Sequence, residues 1–236
     1  MAVSTEEIRD NYLRAKERID RSLSIAGEPG RRVRIMAVTK THQADTVKAV
    51  IRAGISLLGE NRVSEGGRKV KALGKDSAEY HMIGPLHTGE VRQAIRDFHW
   101  IDSVDRMKIA AEIARRTVKK DLDQPGLLVE VNTSGEGSKH GFPPDRGELE
   151  EVLGKMDEMG LTVSGLMTVG PLNADRKDIS AAFALLRELR DSLRSVCDHD
   201  LKELSMGMSE DFELAVREGA TVVRLGRYLL GPRRKR

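Results

Sequence analysis

Short apolar runs alternate eight times with amphipathic stretches along this chain, and no other feature limits its fold so tightly. The runs are Val33–Val38, Ile55–Leu58, Tyr80–Ile83, Trp100–Val104, Leu127–Val131, Val163–Val169, Leu201–Met206 and Thr221–Leu225. Between them apolar residues recur at helical spacing, as at Met107, Ile109, Ala110, Ile113 and Ala114, or at Ile179, Phe183, Leu186, Leu189 and Leu193. Strand then helix, repeated in this way, predicts an α/β fold: a parallel sheet closed into a single (β/α)8 barrel of the TIM type. An open doubly wound sheet is the alternative, because periodicity does not show closure. Such a barrel takes about 250 residues, so a chain of 236 fits one with little to spare.

A helix precedes the first run. Ser4 and Glu7 have capping-box spacing, and Ile8, Tyr12, Ala15, Ile19 and Leu23 form one apolar stripe before Gly27, Pro29 and Gly30 break it. Residues 1–236 therefore read as one domain: an N-terminal helix and linker over 1–30, the barrel, and a solvated basic tail over 232–236.

Composition narrows the class of function. With 40 basic against 37 acidic residues, the net charge of +3 is a slight imbalance on a densely charged surface. Aromatics at 3% leave little for stacking platforms, so no nucleic-acid partner is expected. The single cysteine, Cys197, excludes an internal disulfide and agrees with a reducing cytosol. The opening MAVSTEEIRDNYLRAK lacks the apolar segment of a secretory signal, and no run approaches the roughly 20 apolar residues of a membrane span. A soluble, cytoplasmic protein without a membrane partner is expected. His81, His87, His99, His140 and His199 fall in no metal-ligand spacing, and no GxGxxG follows a strand, so neither a metal nor a nicotinamide has an anchor. Trp100 reads as core.

Polar and glycine-rich residues cluster just after the runs, at Thr39-Lys40-Thr41, Gly59-Glu60-Asn61, Gly84-Pro85, Asn132 to Gly141, Thr168 to Pro171, Gly207-Met208-Ser209 and Arg224-Leu225-Gly226. In a (β/α)8 barrel these loops share one rim, where active sites sit. Strand-to-helix loops need glycine, proline and caps in any case, but turn chemistry does not ask for Lys40 or Arg224. A lysine ending a buried strand is partly desolvated, which lowers its pKa and favours the neutral amine that attacks an aldehyde. A lysine that snorkels to solvent from the rim is the simpler account of Lys40 taken alone. Gly207-Met208-Ser209, placed before a helix over 210–218, offers an anion site, or Ser209 is only that helix's cap. The Arg224-Leu225-Gly226 loop is a second phosphate candidate, and such sites in these barrels often follow strands seven and eight.

These residues resemble the motifs of the pyridoxal phosphate homeostasis proteins, the YggS/PROSC family. The likeness runs through Ala37-Val38-Thr39-Lys40-Thr41, Gly59-Glu60-Asn61, His81-Met82-Ile83-Gly84-Pro85-Leu86, and Val131-Asn132-Thr133 with Glu136, Lys139 and Gly141. It continues through Gly165-Leu166-Met167-Thr168, Leu204 to Asp211, and Val223-Arg224-Leu225-Gly226. The resemblance implies a barrel like the N-terminal domain of alanine racemase, with pyridoxal 5′-phosphate (PLP) held as a Schiff base by Lys40. It implies a phosphate held by Ser209 and the backbone near Met208, Gly226 and Arg227, with Arg224 facing the pyridine nitrogen and Asn61 lining the pocket. The chain departs from the family pattern at His87, Gly89 and Glu90 in the third loop, has Arg62 after Gly-Glu-Asn, and has Leu230 where an aromatic is usual.

The resemblance further implies a role in PLP homeostasis: a monomer that holds the cofactor and surrenders it to PLP-dependent apoenzymes. An amino-acid racemase or decarboxylase on the same barrel is the alternative. A Schiff-base aldolase or a phosphate-sugar isomerase using Lys40 without PLP, and a basic-tailed nucleic-acid binder, are further ones. Racemisation needs a second acid–base group opposite the lysine. In alanine racemase a tyrosine of a partner's C-terminal β-domain supplies it, and this chain, ending at Arg236, is expected to have no such domain. Tyr12, Tyr80 and Tyr228 are all expected to lie away from the rim loops, so no efficient turnover is expected.

Overall fold

The computed structural model describes residues 3–117 and 122–232, so 233–236 of the expected basic tail lie outside the described residues. Helix α1 (Thr5–Ile25) leads into eight strand–helix units. They begin with β1 (Arg34–Val38), α2 (Ala44–Arg52), β2 (Leu57–Glu60), α3 (Val63–Leu73), β3 (Glu79–Met82) and α4 (Val91–Asp97). Next come β4 (Trp100–Val104), α5 (Met107–Thr117), β5 (Gly126–Glu130), α6 (Arg146–Glu158), β6 (Gly165–Met167) and α7 (Arg176–Arg194). The last units are β7 (Glu203–Met208) with α8 (Phe212–Arg217), and β8 (Val222–Leu225) with α9 (Arg227–Leu230). Every strand pairs in parallel with its sequence neighbours, and β8 closes on β1 through Arg34↔Val222 and Met36↔Arg224. The sheet is a closed barrel, as the alternation predicts.

Successive side chains of a strand face opposite ways. Along β1, Ile35 and Ala37 join the large core under the helices, whereas Met36 belongs to a small separate cluster with Leu57, Val222 and Ile83 inside the barrel. The rest of the inner wall carries a run of polar side chains. Arg34 bridges Glu79 (3.1 Å) and Glu203 (3.2 Å) at the N-terminal end. His81, stacked on Trp100 with ring centroids 5.2 Å apart, bonds Glu79 through Nε2 (3.0 Å) and Asp102 through Nδ1 (2.8 Å). Above them Ser205 Oγ donates to Asp102 (3.4 Å), and Arg224 donates to Ser205. TIM barrels commonly fill this space with branched apolar residues; here the main apolar core lies outside the sheet.

Helix ends explain where sequence reading misplaced a strand. Ala53 caps α2, Gly54 adopts φ +94, and the amides of Gly54 and Ile55 bond back to Ile51 and Val50. That is a Schellman motif, so Ile55 belongs to the helix end and the strand starts at Leu57. The same motif at Gly160 and Leu161 ends α6, and the sixth strand covers only Gly165–Met167 of its run. The capping box of Ser4 and Glu7 is present on α1, whose buried face packs on α8, α2 and α9.

Gly207 has φ +89, and a Cβ there would lie 2.5 Å from Ala215 Cβ and 3.0 Å from Phe212 Cα. Gly207→Ala should therefore lower unfolding free energy in urea by about 2 kcal/mol or more. Gly154, inside α6 with open space around it, is the contrast: Gly154→Ala should stabilise by about 0.5–1 kcal/mol. Equal effects at the two positions would contradict the packing described.

Candidate functional site at the barrel mouth

β1 delivers Lys40 to the rim on a tight turn. Thr39 is fully buried and its amide donates to the Gly59 carbonyl (3.0 Å); its own carbonyl accepts from His42 N (3.1 Å), closing the turn over Lys40 and Thr41. Thr41 takes φ +69, a conformation that a β-branched residue rarely adopts. Lys40 is half-buried and lines a cavity of about 530 Å³ at the C-terminal mouth, within the usual size range of small-molecule sites.

The opposite side of the cavity is made by the loops after β7 and β8. Met208, Ser209, Gly226 and Arg227 all line it. The start of α8 is Phe212, capped at Asp211, so Ser209 is not the helix cap that one sequence reading allowed. Its Oγ instead accepts from Tyr228 N (3.1 Å), which ties the two loops together and leaves the hydroxyl proton to donate elsewhere. Met208 N is committed to Asp211 Oδ1 (2.5 Å). Among the described residues, the amides of Ser209 and Gly226 donate to no acceptor. Two uncommitted amides and a hydroxyl at the wall of a cavity form an anion cradle. Asp211 is the one buried acid beside it, and burial pushes its carboxyl up from the ordinary range.

Arg224 lines the same cavity, 4% exposed. NH1 donates to the carbonyl (2.7 Å) and hydroxyl (2.9 Å) of Ser205, and NH2 to the Thr168 carbonyl (2.7 Å). Nε carries no hydrogen bond among the described residues. Burial pulls the guanidinium pKa down, and Asp102, Glu130 and Asp211 oppose that pull.

Six of the seven sequence-derived site residues thus meet at one cavity: Lys40, Met208, Ser209, Arg224, Gly226 and Arg227. Asn61 does not line it. It packs on the third loop, where a Cβ on Gly84 would lie 2.3 Å from the Asn61 carbonyl oxygen. The departing residues His87 and Glu90 cap one 3-10 turn there, with His87 N donating to Glu90 (3.1 Å). Lys139 bonds Glu136 (2.9 Å) and the Gly170 carbonyl (2.6 Å), joining the loops after β5 and β6. Tyr228 sits in α9 directly after β8, outside the cavity lining, with its ring against Phe212. Sequence reading missed His42 and Asp211 in the lining. It also missed the buried pair of Glu60 and Lys69 behind Lys40, with the half-buried Glu65 beside it. The i, i+4 spacing of Glu65 and Lys69 was the available signal.

The fold defines a class: barrels of the alanine racemase type. The alanine racemase of Bacillus anthracis superposes with a TM-score of 0.71 over 99% of this chain and 57% of its own, at 18% identity, a likeness of fold alone. The sequence matches no protein-family model. It is 37% identical over 222 residues to the pyridoxal phosphate homeostasis protein of Aquifex aeolicus, covering 94% of this chain and 96% of that one. It is 37% identical over 227 residues to the protein of that name from Pseudomonas aeruginosa, covering 96% of each. PipY of Synechococcus elongatus, solved with PLP bound, has a TM-score of 0.76 at 32% identity, covering 90% of this chain and all of that one. The chain belongs to the pyridoxal phosphate homeostasis protein family.

Glu130 ends β5 at 7% exposure, with no side-chain hydrogen bond among the described residues. Burial first, then Asp105 and Asp102, push its carboxyl up to about 7 against the pull of Arg224. A folded-state pKa above the unfolded value contributes stability that is present below the unfolded pKa and lost as pH rises through the folded one. Unfolding free energy should therefore fall between pH 5 and 8. Glu130→Gln should shrink that fall by roughly 2–3 kcal/mol. Urea unfolding at the two pH values checks this, since an unchanged slope in the variant would mean an ordinary carboxyl.

Proposed function

We infer that this chain binds PLP at the barrel mouth, holds it through Lys40, and serves PLP homeostasis by surrendering it to PLP-dependent apoenzymes. One observation carries the reading: an amine, a buried guanidinium and an anion cradle line a single cavity. That donor set fits a flat ligand bearing an aldehyde, a ring nitrogen and a phosphate. Bound there, PLP supplies an electrophilic aldehyde and an electron-withdrawing ring. Lys40 offers Nζ to the aldehyde carbon. Arg224, immobilised on Ser205 and Thr168, has Nε left for the ring nitrogen. Ser209 and the amides of Ser209 and Gly226 receive the phosphate, with Met208 and Arg227 completing that wall. Asn61 supports the rim from outside the cavity. A monomer with 1–236 as one domain completes the reading, and a lone cysteine suits the cytosol.

Arg224 keeps its proton at ordinary pH and so disfavours a protonated ring nitrogen, which weakens the electron sink that amino-acid chemistry needs. None of the three tyrosines lines the cavity. The alternative, a PLP enzyme of the racemase type, rests on His42 and Asp211, the titratable side chains of the lining that an acid–base step would use.

Borohydride reduction after incubation with PLP should leave a pyridoxyl group on the peptide containing Lys40, and Lys40→Ala should abolish the label. Label on another lysine would refute the assignment. Ser209→Ala should weaken PLP binding roughly tenfold or more, because charge-assisted bonds contribute about 1.5–3 kcal/mol each. Pyridoxal, which lacks the phosphate, should bind far more weakly than PLP; equal affinities would remove the anion cradle from the account.

Across L-amino acids with PLP supplied, the protein should give rates near those of free PLP. Saturable racemisation or decarboxylation that disappears in Lys40→Ala would select the enzyme instead.

A further inference from the structure

We propose that Lys69 is a positioning residue for Lys40, its buried ammonium tying down the backbone on both sides of that lysine. The proposal rests on the reading of Lys40 as the residue that bonds the cofactor. Lys69 lies on α3, 4% exposed, and its Nζ donates to the Thr39 carbonyl at 2.8 Å. Thr39 immediately precedes Lys40. The same Nζ donates to Glu65 Oε1 at 2.8 Å, and that oxygen accepts the amide of Thr41, the residue after Lys40, at 2.5 Å. Its other bonds go to the two oxygens of Glu60, at 2.7 and 2.9 Å. Glu60 is fully buried and also accepts the hydroxyl of Thr39. Each partner of the ammonium is thus part of the Lys40 turn or a carboxylate that holds it.

Stability alone does not account for this arrangement. A buried ion pair is often no better for folding than a well-packed apolar pair of the same volume. An aliphatic residue at 69 against one at 60 would join α3 to β2 equally well, but it could not hold the Thr39 carbonyl or, through Glu65, the Thr41 amide. The turn needs such holding. Thr41 at φ +69 stores about 1–3 kcal/mol of strain, which persists only where the surroundings over-determine the conformation. Released, Thr41 would relax towards negative φ and swing Lys40 on its turn. Attachment joins Lys40 Nζ to the aldehyde carbon, with one water leaving on the carbonyl oxygen and two amine protons. Its rate depends on where Nζ stands, and a misplacement of about 1 Å is enough to cost roughly a hundredfold.

The test separates attachment from occupancy. Lys69→Met strands the Glu60 carboxylate, so Lys69→Met/Glu60→Gln is made beside it to give a folded chain without a lone buried charge. Covalent attachment is followed by absorbance and by borohydride trapping on the Lys40 peptide. Occupancy is followed by the affinity for pyridoxine 5′-phosphate, which has the ring and phosphate but no aldehyde. Attachment should slow at least roughly tenfold in both variants while pyridoxine 5′-phosphate affinity stays within about twofold. Attachment at the wild-type rate overturns the proposal. So does a parallel loss of both readouts, which would make Lys69 merely structural. If the unaltered protein traps nothing at Lys40, the cofactor reading itself fails, a result distinct from either.

Discussion

A guanidinium that keeps its charge lies 4% exposed in the neck of the barrel, and the inner wall is composed around it. Burying an uncompensated charge costs several kcal/mol, so Arg224 must have acceptors within reach. It takes the Ser205 and Thr168 carbonyls directly, and the carboxylates of Asp102, Glu130 and Asp211 surround it. Asp102 and Asp211 are partnered in turn, Asp211 by the Met208 amide. Asp102 has His81 and Ser205, and His81 has Glu79. Glu79 shares Arg34 with Glu203 at the far end. Burial alone would lower the His81 pKa; Asp102 and Glu79 outweigh it and raise it, while the bond to His81 holds Glu79 down at about 2. One buried charge at the mouth is thus compensated by a polar column running the length of the barrel.

That column explains why the fold was legible and the interior was not. Helix-facing strand residues such as Ile35, Ala37, Leu127 and Val129 carry the main apolar core, and they made the eight runs visible. The inner residues Glu79, Glu130 and Ser205 sit singly among apolar neighbours, and Asp102 has only Ser103 beside it, so each looks like a strand end or a solvent-facing position. Only closure of the sheet brings them together, and no spacing along the chain records it. The rim was legible for the opposite reason. Its residues follow strand ends directly, so chain order fixes which end of the barrel they share. Asn61 shows the limit of that inference: it follows β2 as expected, but the close approach of Gly84 draws it against the neighbouring loop.

The link from Glu60 and Glu65 to Lys69 was half legible. The i, i+4 pair on α3 stood in the sequence, yet such pairs are usually exposed and contribute little. What sets this one apart is tertiary. Val63 and Val70 turn the same face of α3 into the core, which carries Lys69 beneath the end of β1. There the Thr39 carbonyl and the fully buried Glu60 replace water as its ligands. The inner column and this outer cluster are separate: one faces into the barrel from β1, β3, β4, β5, β7 and β8, the other lies between β1, β2 and α3.

The two walls of the cavity are consequently held in different ways. Lys40 stands on a strained turn clamped by buried charges, a rigid support. The anion cradle is built from loop amides, a serine hydroxyl shared with Tyr228 N, and an outer pair, Arg227 and Glu210, whose side chains are 62% and 75% exposed. Exposed pairs of that kind contribute at most about 1 kcal/mol and are weakened by salt. A ligand gripped at both ends by buried groups would be retained. One fixed by a reversible bond at a rigid lysine, with its anion in a cradle open to water, has a grip that solvent and a competing amine can undo from the open side. On the proposed reading, that asymmetry is a physical basis for binding the cofactor selectively and still letting it go.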